Sequence, residues 1–461
     1  MRKRLAVSVV ASMILTLVAV APAGAHHDDG KGDINPPATD VLMHEFENVT
    51  APNAAEDSSA PRGHAPCING MAADTFPCDR VDMLSHLTLG DLGLSFANDM
   101  WGWTDPQTNK DYALVGGAEG TVIVDVSDAK RPDIVGTLPT HTTGSLFWRD
   151  IKVYADHMFV VSEDPGHGMQ VFDLTQVRGV TGDPVTFDEY VHYDGFGNAH
   201  NLHINTDTGF AYVVGTQTCG GGGLHMVDVS DPDAPAFAGC FSEHNYIHDT
   251  QCVVYDGPDA EHRGKEICFN AAATFNSFSQ AGIINTVSIV DVTDKANPVS
   301  LARFEYANDG YSHQGWLTPD HAYYLHNDEL DEVFGAVGGT TTRIWDVRDL
   351  DDLDQTDVTE VDHGTTSIGH NQYMEGRYAH VAQYTAGYRV FDISNVADGE
   401  MPQVGYFDTY PENDNPTFEG GPWSNYPYFR QQGIVGVSTM ERGLFILKPR
   451  LTSKAPVRGI F

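Results

Sequence analysis

Val122-Ile123-Val124-Asp125-Val126-Ser127-Asp128 joins an apolar run to an aspartate and a small turn, and the chain returns to this pattern repeatedly. Further copies are Val171-Phe172-Asp173-Leu174, Met226-Val227-Asp228-Val229-Ser230-Asp231 and Ile289-Val290-Asp291-Val292-Thr293-Asp294. Ile344-Trp345-Asp346-Val347 and Val390-Phe391-Asp392-Ile393-Ser394 follow, and Leu444-Phe445-Ile446-Leu447 is a degenerate seventh. The aspartates are 48, 55, 63, 55 and 46 residues apart. Each copy has an apolar strand before it, such as Tyr112-Ala113-Leu114-Val115, and another after it, such as Val299-Ser300-Leu301-Ala302. A shorter strand with a polar start precedes all three. Short β-rich runs separated by Gly, Pro and Asp turns read as antiparallel strands, and four per unit at this period is the β-propeller pattern.

The expected fold is therefore all-β: a seven-bladed β-propeller over residues 81–450, with four antiparallel strands per blade. The seventh unit supplies only three strands before its apolar sequence ends near Pro449. Met83-Leu84-Ser85-His86-Leu87-Thr88-Leu89 can supply the fourth, closing the ring with an N-terminal strand and leaving no blade edge open.

Outside the repeats, Met1-Arg2-Lys3-Arg4 precedes an apolar run from Leu5 to about Ala21 and an Ala23-Gly24-Ala25 cleavage pattern. That order identifies residues 1–25 as a secretory signal peptide. No later run approaches the roughly 18 apolar residues of a membrane span, so the expected product is secreted or extracellular, with possible association to the cell surface. Residues 26–80, rich in Asp, Ala, Pro and Gly, read as an extended segment, and residues 451–461 as a tail. Cys67, Cys78, Cys219, Cys240, Cys252 and Cys268 are an even set in an exported chain and favour disulfides. Sequence neighbours pair as 67–78, 219–240 and 252–268, although six cysteines allow fifteen connectivities. The net charge of −38 repels nucleic acid and anionic membranes.

Aligning the first strand of each unit gives a polar pair at its start. The pairs are Asn98-Asp99, Arg149-Asp150, His200-Asn201, His248-Asp249, His313-Gln314, His370-Asn371 and Ser424-Asn425. Innermost propeller strands line the central channel, so these side chains form a ring. Three roles fit them. Asp and Asn at strand starts satisfy loop N–H groups, and His can cap the same layer. Alternatively, His200, His248, His313 and His370 converge on a divalent metal, and without thiolate the set suits iron, copper or zinc. In that case Asp249 and Asn201 would orient the ligands. In the third role, His and Arg149 hold an anionic group such as a carboxylate at the channel mouth, with Asp99 and Asp150 beside it.

The acidic runs Asn327-Asp328-Glu329-Leu330-Asp331-Glu332 and Asp349-Leu350-Asp351-Asp352-Leu353-Asp354 offer oxygen ligands for calcium but lack EF-hand spacing, so they read as solvated turns. His26-His27, at the expected mature N-terminus, read as a polar tail, although amine and imidazole there could chelate copper. Trp101, Trp103, Trp148, Trp316, Trp345 and Trp423 read mainly as blade-packing residues. No G-x-S-x-G or H-E-x-x-H motif betrays a nucleophile or zinc protease.

The I-V-D-V-S-D copies resemble the LVIVD repeat, a bacterial and archaeal propeller unit. Gln251-Cys252 to Glu266-Ile267-Cys268-Phe269, His313-Gln314-Gly315-Trp316 and Tyr406-Phe407-Asp408-Thr409-Tyr410-Pro411 extend the likeness. Together they resemble the choice-of-anchor B family of exported proteins. That resemblance implies an exported propeller and supplies no catalytic residues, and the C-terminus here departs from the family name in carrying no anchoring segment. The functional expectation is a binding or scaffold module for an extracellular protein, peptide or glycan. The alternative is a metal-dependent oxidoreductase or hydrolase with its site in the channel.

Overall fold

The computed structural model describes residues 59–451, apart from 145, 147, 245, 274–284, 353–357 and 430–432. Residues 1–25, read above as a signal peptide, His26-His27, Asp354 and the tail from 452 lie outside the described residues.

Seven antiparallel sheets form seven blades of one propeller. Their inner strands are Ala97–Thr104, Arg149–Tyr154, Asn201–Asn205, Ile247–Val254, Ser312–Leu317, Gln372–Glu375 and Pro422–Phe429, for blades 1 to 7. The repeated motif is the third strand of each blade. Val122, Ile123 and Val124 are all buried, because a blade packs between two others and both of its faces need apolar side chains. The aspartate ending the strand makes the turn. Asp125 Oδ1 accepts from Ser127 N at 2.9 Å, Asp228 Oδ1 from Ser230 N at 2.9 Å, and Asp291 Oδ1 from Thr293 N at 3.0 Å. Asp173, Asp346 and Asp392 repeat the bond. The aspartate recurs because this side chain can replace a backbone acceptor two residues on. One step earlier the pairing with the outer strand shifts register, at Ile123/Val124, Met226/Val227, Ile289/Val290 and Val390/Phe391, a bulge that adds twist.

The ring closes as expected. Val81–Leu87 pairs antiparallel with Gly443–Pro449 and completes blade 7. The segment ahead of it is more than an extended leader. Met71–Ala72 and Phe76–Asp79 form a hairpin, and Phe76–Asp79 pairs with the outer strand of blade 6 through Cys78↔Phe407 and Asp79↔Tyr406. Val185–Thr186 covers the edge of blade 1 in the same way, in parallel. Disulfides join Cys67 to Cys78, Cys219 to Cys240 and Cys252 to Cys268. No helix among the described residues is long and apolar enough to cross a membrane.

Neighbouring blades are also pinned at their hairpin tips. Asp105, buried after the inner strand of blade 1, accepts from Gln107 N at 2.9 Å and Thr108 Oγ1 at 2.6 Å. Arg178 of blade 2 adds Nε at 3.0 Å and Nη2 at 2.6 Å. Burial alone would raise this carboxyl, but the guanidinium and the hydrogen bonds outweigh it and hold its pKa at about 2. A depressed carboxyl stabilises the fold above its unfolded pKa, and that stability is lost as pH falls through the folded value. Asp105→Asn is thus expected to lose about 1 kcal/mol in urea titrations near pH 7, discounted for solvent at the tip. The difference from the parent should close as pH falls from about 4 to about 2.

Candidate functional site

Four imidazoles stand in file around the channel. Ring centroids of His200 and His248, His248 and His313, and His313 and His370 are each 4.3 Å apart. One repeated position on four consecutive inner strands produces this spacing. Their Nδ1 atoms face outward onto acceptors. His248 Nδ1 donates to His313 O at 2.7 Å and His370 Nδ1 to Trp423 O at 2.5 Å. His200 Nδ1 meets Glu163 Oε1 at 2.6 Å, and His313 Nδ1 lies 3.4 Å from Asn327 Oδ1. With Nδ1 carrying the proton, a neutral imidazole keeps its lone pair on Nε2.

Glu329 lies against the Nε2 atoms of His313 and His370. Its Oε2 is 3.8 Å from His313 Nε2 and its Oε1 is 3.6 Å from His370 Nε2. Tyr384, stacked on His370 with centroids 4.5 Å apart, donates its hydroxyl to Glu329 Oε1 at 2.8 Å. Ligand-type atoms of His248, His313 and Glu329 all lie within 4.8 Å of one another, and all three residues are buried. Burial pushes the Glu329 carboxyl up to about 7, against the Tyr384 hydrogen bond. Burial also drives His248 and His313 well below the ordinary imidazole value, helped by the neighbouring imidazoles, and His370 to about 3. At His200 burial is outweighed by Glu163, with Glu329 and Asp249 behind it, and the pKa rises.

Glu329 comes from the acidic run read above as a solvated turn, and that reading is corrected here. Asp328, Glu329, Asp331 and Glu332 are all buried. Asp328 accepts from Gly310 N, Tyr311 N, Leu330 N, Asp331 N and Tyr306 Oη at 2.7–3.0 Å. Asp331 pairs with buried Arg343 at 2.8 Å. Asp328 is therefore held by its own donors, and the run is a buried, braced turn rather than a solvated one. Glu329 follows directly on the braced Asp328 and approaches His313 and His370. In the other run, Asp349 and Asp351 are exposed. Asp351 lies 3.8 Å from His262 Nε2, with Asp259 at 3.9 Å, on the outer rim of blades 4 and 5.

Five second members of the polar pairs tie their inner strand to a neighbouring one. Asp150 Oδ2 accepts from Leu202 N at 2.7 Å, and Asp99 Oδ2 from Ile151 N at 3.4 Å. Asn201 Nδ2 donates to His248 O at 3.0 Å, Gln314 Nε2 to Gln372 O at 3.1 Å and Asn425 Nδ2 to Asn371 O at 3.3 Å. Asp249 Oδ1 accepts from Thr250 N at 2.7 Å rather than orienting an imidazole. That task falls to Glu163, Asn327 and two main-chain carbonyls. Lys152 is buried between Asp150, which it contacts directly, and Asp99 at 3.5 Å. Burial, with Asp150 beside it, raises the Asp99 carboxyl, whereas Lys152 overcomes burial at Asp150 and lowers it.

Around the imidazoles sits a buried aromatic collar of Phe96, Trp148, Tyr246, Tyr311, Tyr384, Phe418 and Trp423. Phe96, Tyr246 and Tyr311 each precede a ring residue by two positions, a signal present in the aligned strands and passed over above. Trp103 and Trp345 pack inside blades as expected, with Trp103 stacked on Tyr112 at 5.2 Å.

The LVIVD repeat family matches residues 109–140, 197–242 and 373–401, which hold the third-strand motifs of blades 1, 3 and 6. The chain carries LVIVD repeats. These matches reach the repeat unit, and the choice-of-anchor B likeness remains one of motifs. No curated protein matches the chain. Among solved structures, hydrazine synthase of Kuenenia stuttgartiensis is 12% identical, covering 73% of this chain and 91% of that one at a TM-score of 0.48. The Cps50 (Swd1) β-propeller domain of Myceliophteria thermophila is 11% identical, covering 77% and 98% at 0.46. At these values neither likeness bears on function.

Proposed function

We propose that this LVIVD-repeat propeller is an exported metal-binding protein whose channel holds a divalent transition-metal ion on His248, His313 and Glu329, with His370 adjacent. The observation that carries this reading is the outward anchoring of Nδ1, which leaves the Nε2 atoms facing a buried carboxylate. Metal-ligating histidines are held through their second nitrogen in this way. The spacing also suits an ion. Two donors about 2.1 Å from a tetrahedral centre stand about 3.4 Å apart, near the 3.8 Å between His313 Nε2 and Glu329 Oε2. Imidazole and carboxylate without thiolate favour zinc, iron or copper over calcium. A bound ion would supply Lewis-acid or redox chemistry inside the channel. Export is supported by the leader-like N-terminus and by three disulfides, which persist in oxidising compartments.

A binding module would be expected to show a contiguous aromatic or charged patch on one face. The large exposed apolar residues are Ile68, Met71, Val185, Tyr190, Phe237, Val299, Val333 and Phe334, spread over the N-terminal segment and blades 1 to 5. Elemental analysis of the untagged secreted protein tests the proposal. Close to one equivalent of zinc, iron or copper is expected, and it should be absent from a folded His248→Ala/His313→Ala variant. A metal-free parent, or equal metal in both proteins, would overturn the reading and leave a binding module.

A further inference from the structure

The histidines fill the ring on blades 3 to 6, and the same ring continues through Asn98 and Arg149 on blades 1 and 2. Both side chains are buried, Asn98 at 0% exposure and Arg149 at 2%. They flank one glycine: a Cβ on Gly116 would stand 2.5 Å from Asn98 Oδ1 and 3.4 Å from Arg149 Cδ.

Arg149 donates Nε to Gly117 O at 3.0 Å. Its Nη1 donates to His167 Nε2 at 3.0 Å, and His167 Nδ1 donates in turn to Gly168 O at 3.0 Å. Among the described residues its Nη2 has no hydrogen-bond partner, and neither polar atom of the Asn98 amide has one. Among the described residues the guanidinium forms no ion pair, and Asp164 and Glu119 offset its burial only partly. A buried cation with an idle N–H, and an idle amide on the next blade, are costly, and each calls for a partner such as a ligand, an ion or water.

We propose that Arg149 and Asn98 form a carboxylate-binding subsite in the channel wall, on the same ring as the histidines, which takes one carboxylate of a small organic acid. Arg149 Nη2 and the Asn98 amide N–H, on adjacent blades, each offer an unused donor to the two oxygens of a carboxylate. The wider lone-pair set of a phosphate would find no further donor among these residues. The subsite rests on the channel being a binding site and needs no metal for its own contacts.

Line broadening of 13C-labelled acetate by metal-free protein tests it, with phosphate as competitor and near-UV circular dichroism as a check of fold. Saturable broadening is expected in the parent. Binding should weaken by about 10- to 100-fold in Arg149→Gln and less steeply in Asn98→Ala, the loss typical of a charged hydrogen bond. Arg178→Gln, at the outer hairpin tip, should bind acetate as the parent does. Equal acetate binding in the parent and in folded Arg149→Gln, no binding in the parent, or displacement by equimolar phosphate would overturn the proposal. Zinc titrated into the same samples separates the two readings. Acetate binding without zinc uptake keeps the subsite and removes the ion, and zinc uptake without acetate binding does the reverse.

Discussion

Truncating Phe445 to alanine is expected to destabilise the propeller by about 3–5 kcal/mol in urea unfolding, the usual cost of removing a fully buried phenyl ring. Phe445 is fully buried in the third strand of blade 7. His86 of the closing strand stacks on it at 4.0 Å, Phe76 of the N-terminal hairpin meets it edge-on at 5.3 Å, and Phe407 of blade 6 lies 5.9 Å away. One ring thus joins the ring-closing strand to the segment that covers blade 6. Apolar area alone accounts for part of the cost, and the cavity left between three elements adds the rest. Phe237→Ala, at 59% exposure, should stay within about 0.5 kcal/mol of the parent. A Phe445→Ala protein as stable as that control would show that closure does not depend on this junction.

The second large effect is at Glu329. Glu329→Gln should weaken zinc binding by at least about 100-fold, because an amide oxygen replaces the only carboxylate in the proposed ligand set. The metal-free protein should respond in the opposite direction. A carboxyl whose folded pKa is raised stabilises the fold below its unfolded pKa, and that stability is lost as pH rises through the folded value. With Glu329 near 7, its ionised form is a burden at pH 8, and Gln removes it. A gain of about 1–3 kcal/mol in the metal-free variant at that pH is expected. Weaker binding with higher stability is the signature of a residue kept for function. If Glu329 were merely structural, the variant would be less stable and its metal affinity unchanged.

The blade count was legible because the Asp125-type turn needs one side chain at one place in every repeat, so the physics prints a letter in the sequence. Closure was legible for a similar reason: blade 7 ran out of apolar residues, and Met83 to Leu89 had the missing strand. The histidines stood out as one ring position in four consecutive blades. Their partners did not. The acceptors for His248 and His370 are main-chain carbonyls, which leave no mark on residue identity. Glu329 was hidden differently. An acidic run looks solvated unless its distant donors are known, and here Arg343, Tyr306 and a set of loop N–H groups gather around Asp328 and Asp331. The hairpin at Met71 to Asp79 was missed because its strands are short and one of them pairs with residues more than three hundred positions away.

Anomalous diffraction from zinc-soaked crystals, collected on both sides of the zinc edge, tests the central claim most directly. The account predicts one strong peak in the channel, about 2.0–2.2 Å from His248 Nε2, His313 Nε2 and a Glu329 carboxylate oxygen. A channel without a peak, in crystals where zinc occupies other sites such as Asp259, His262 and Asp351, would contradict it.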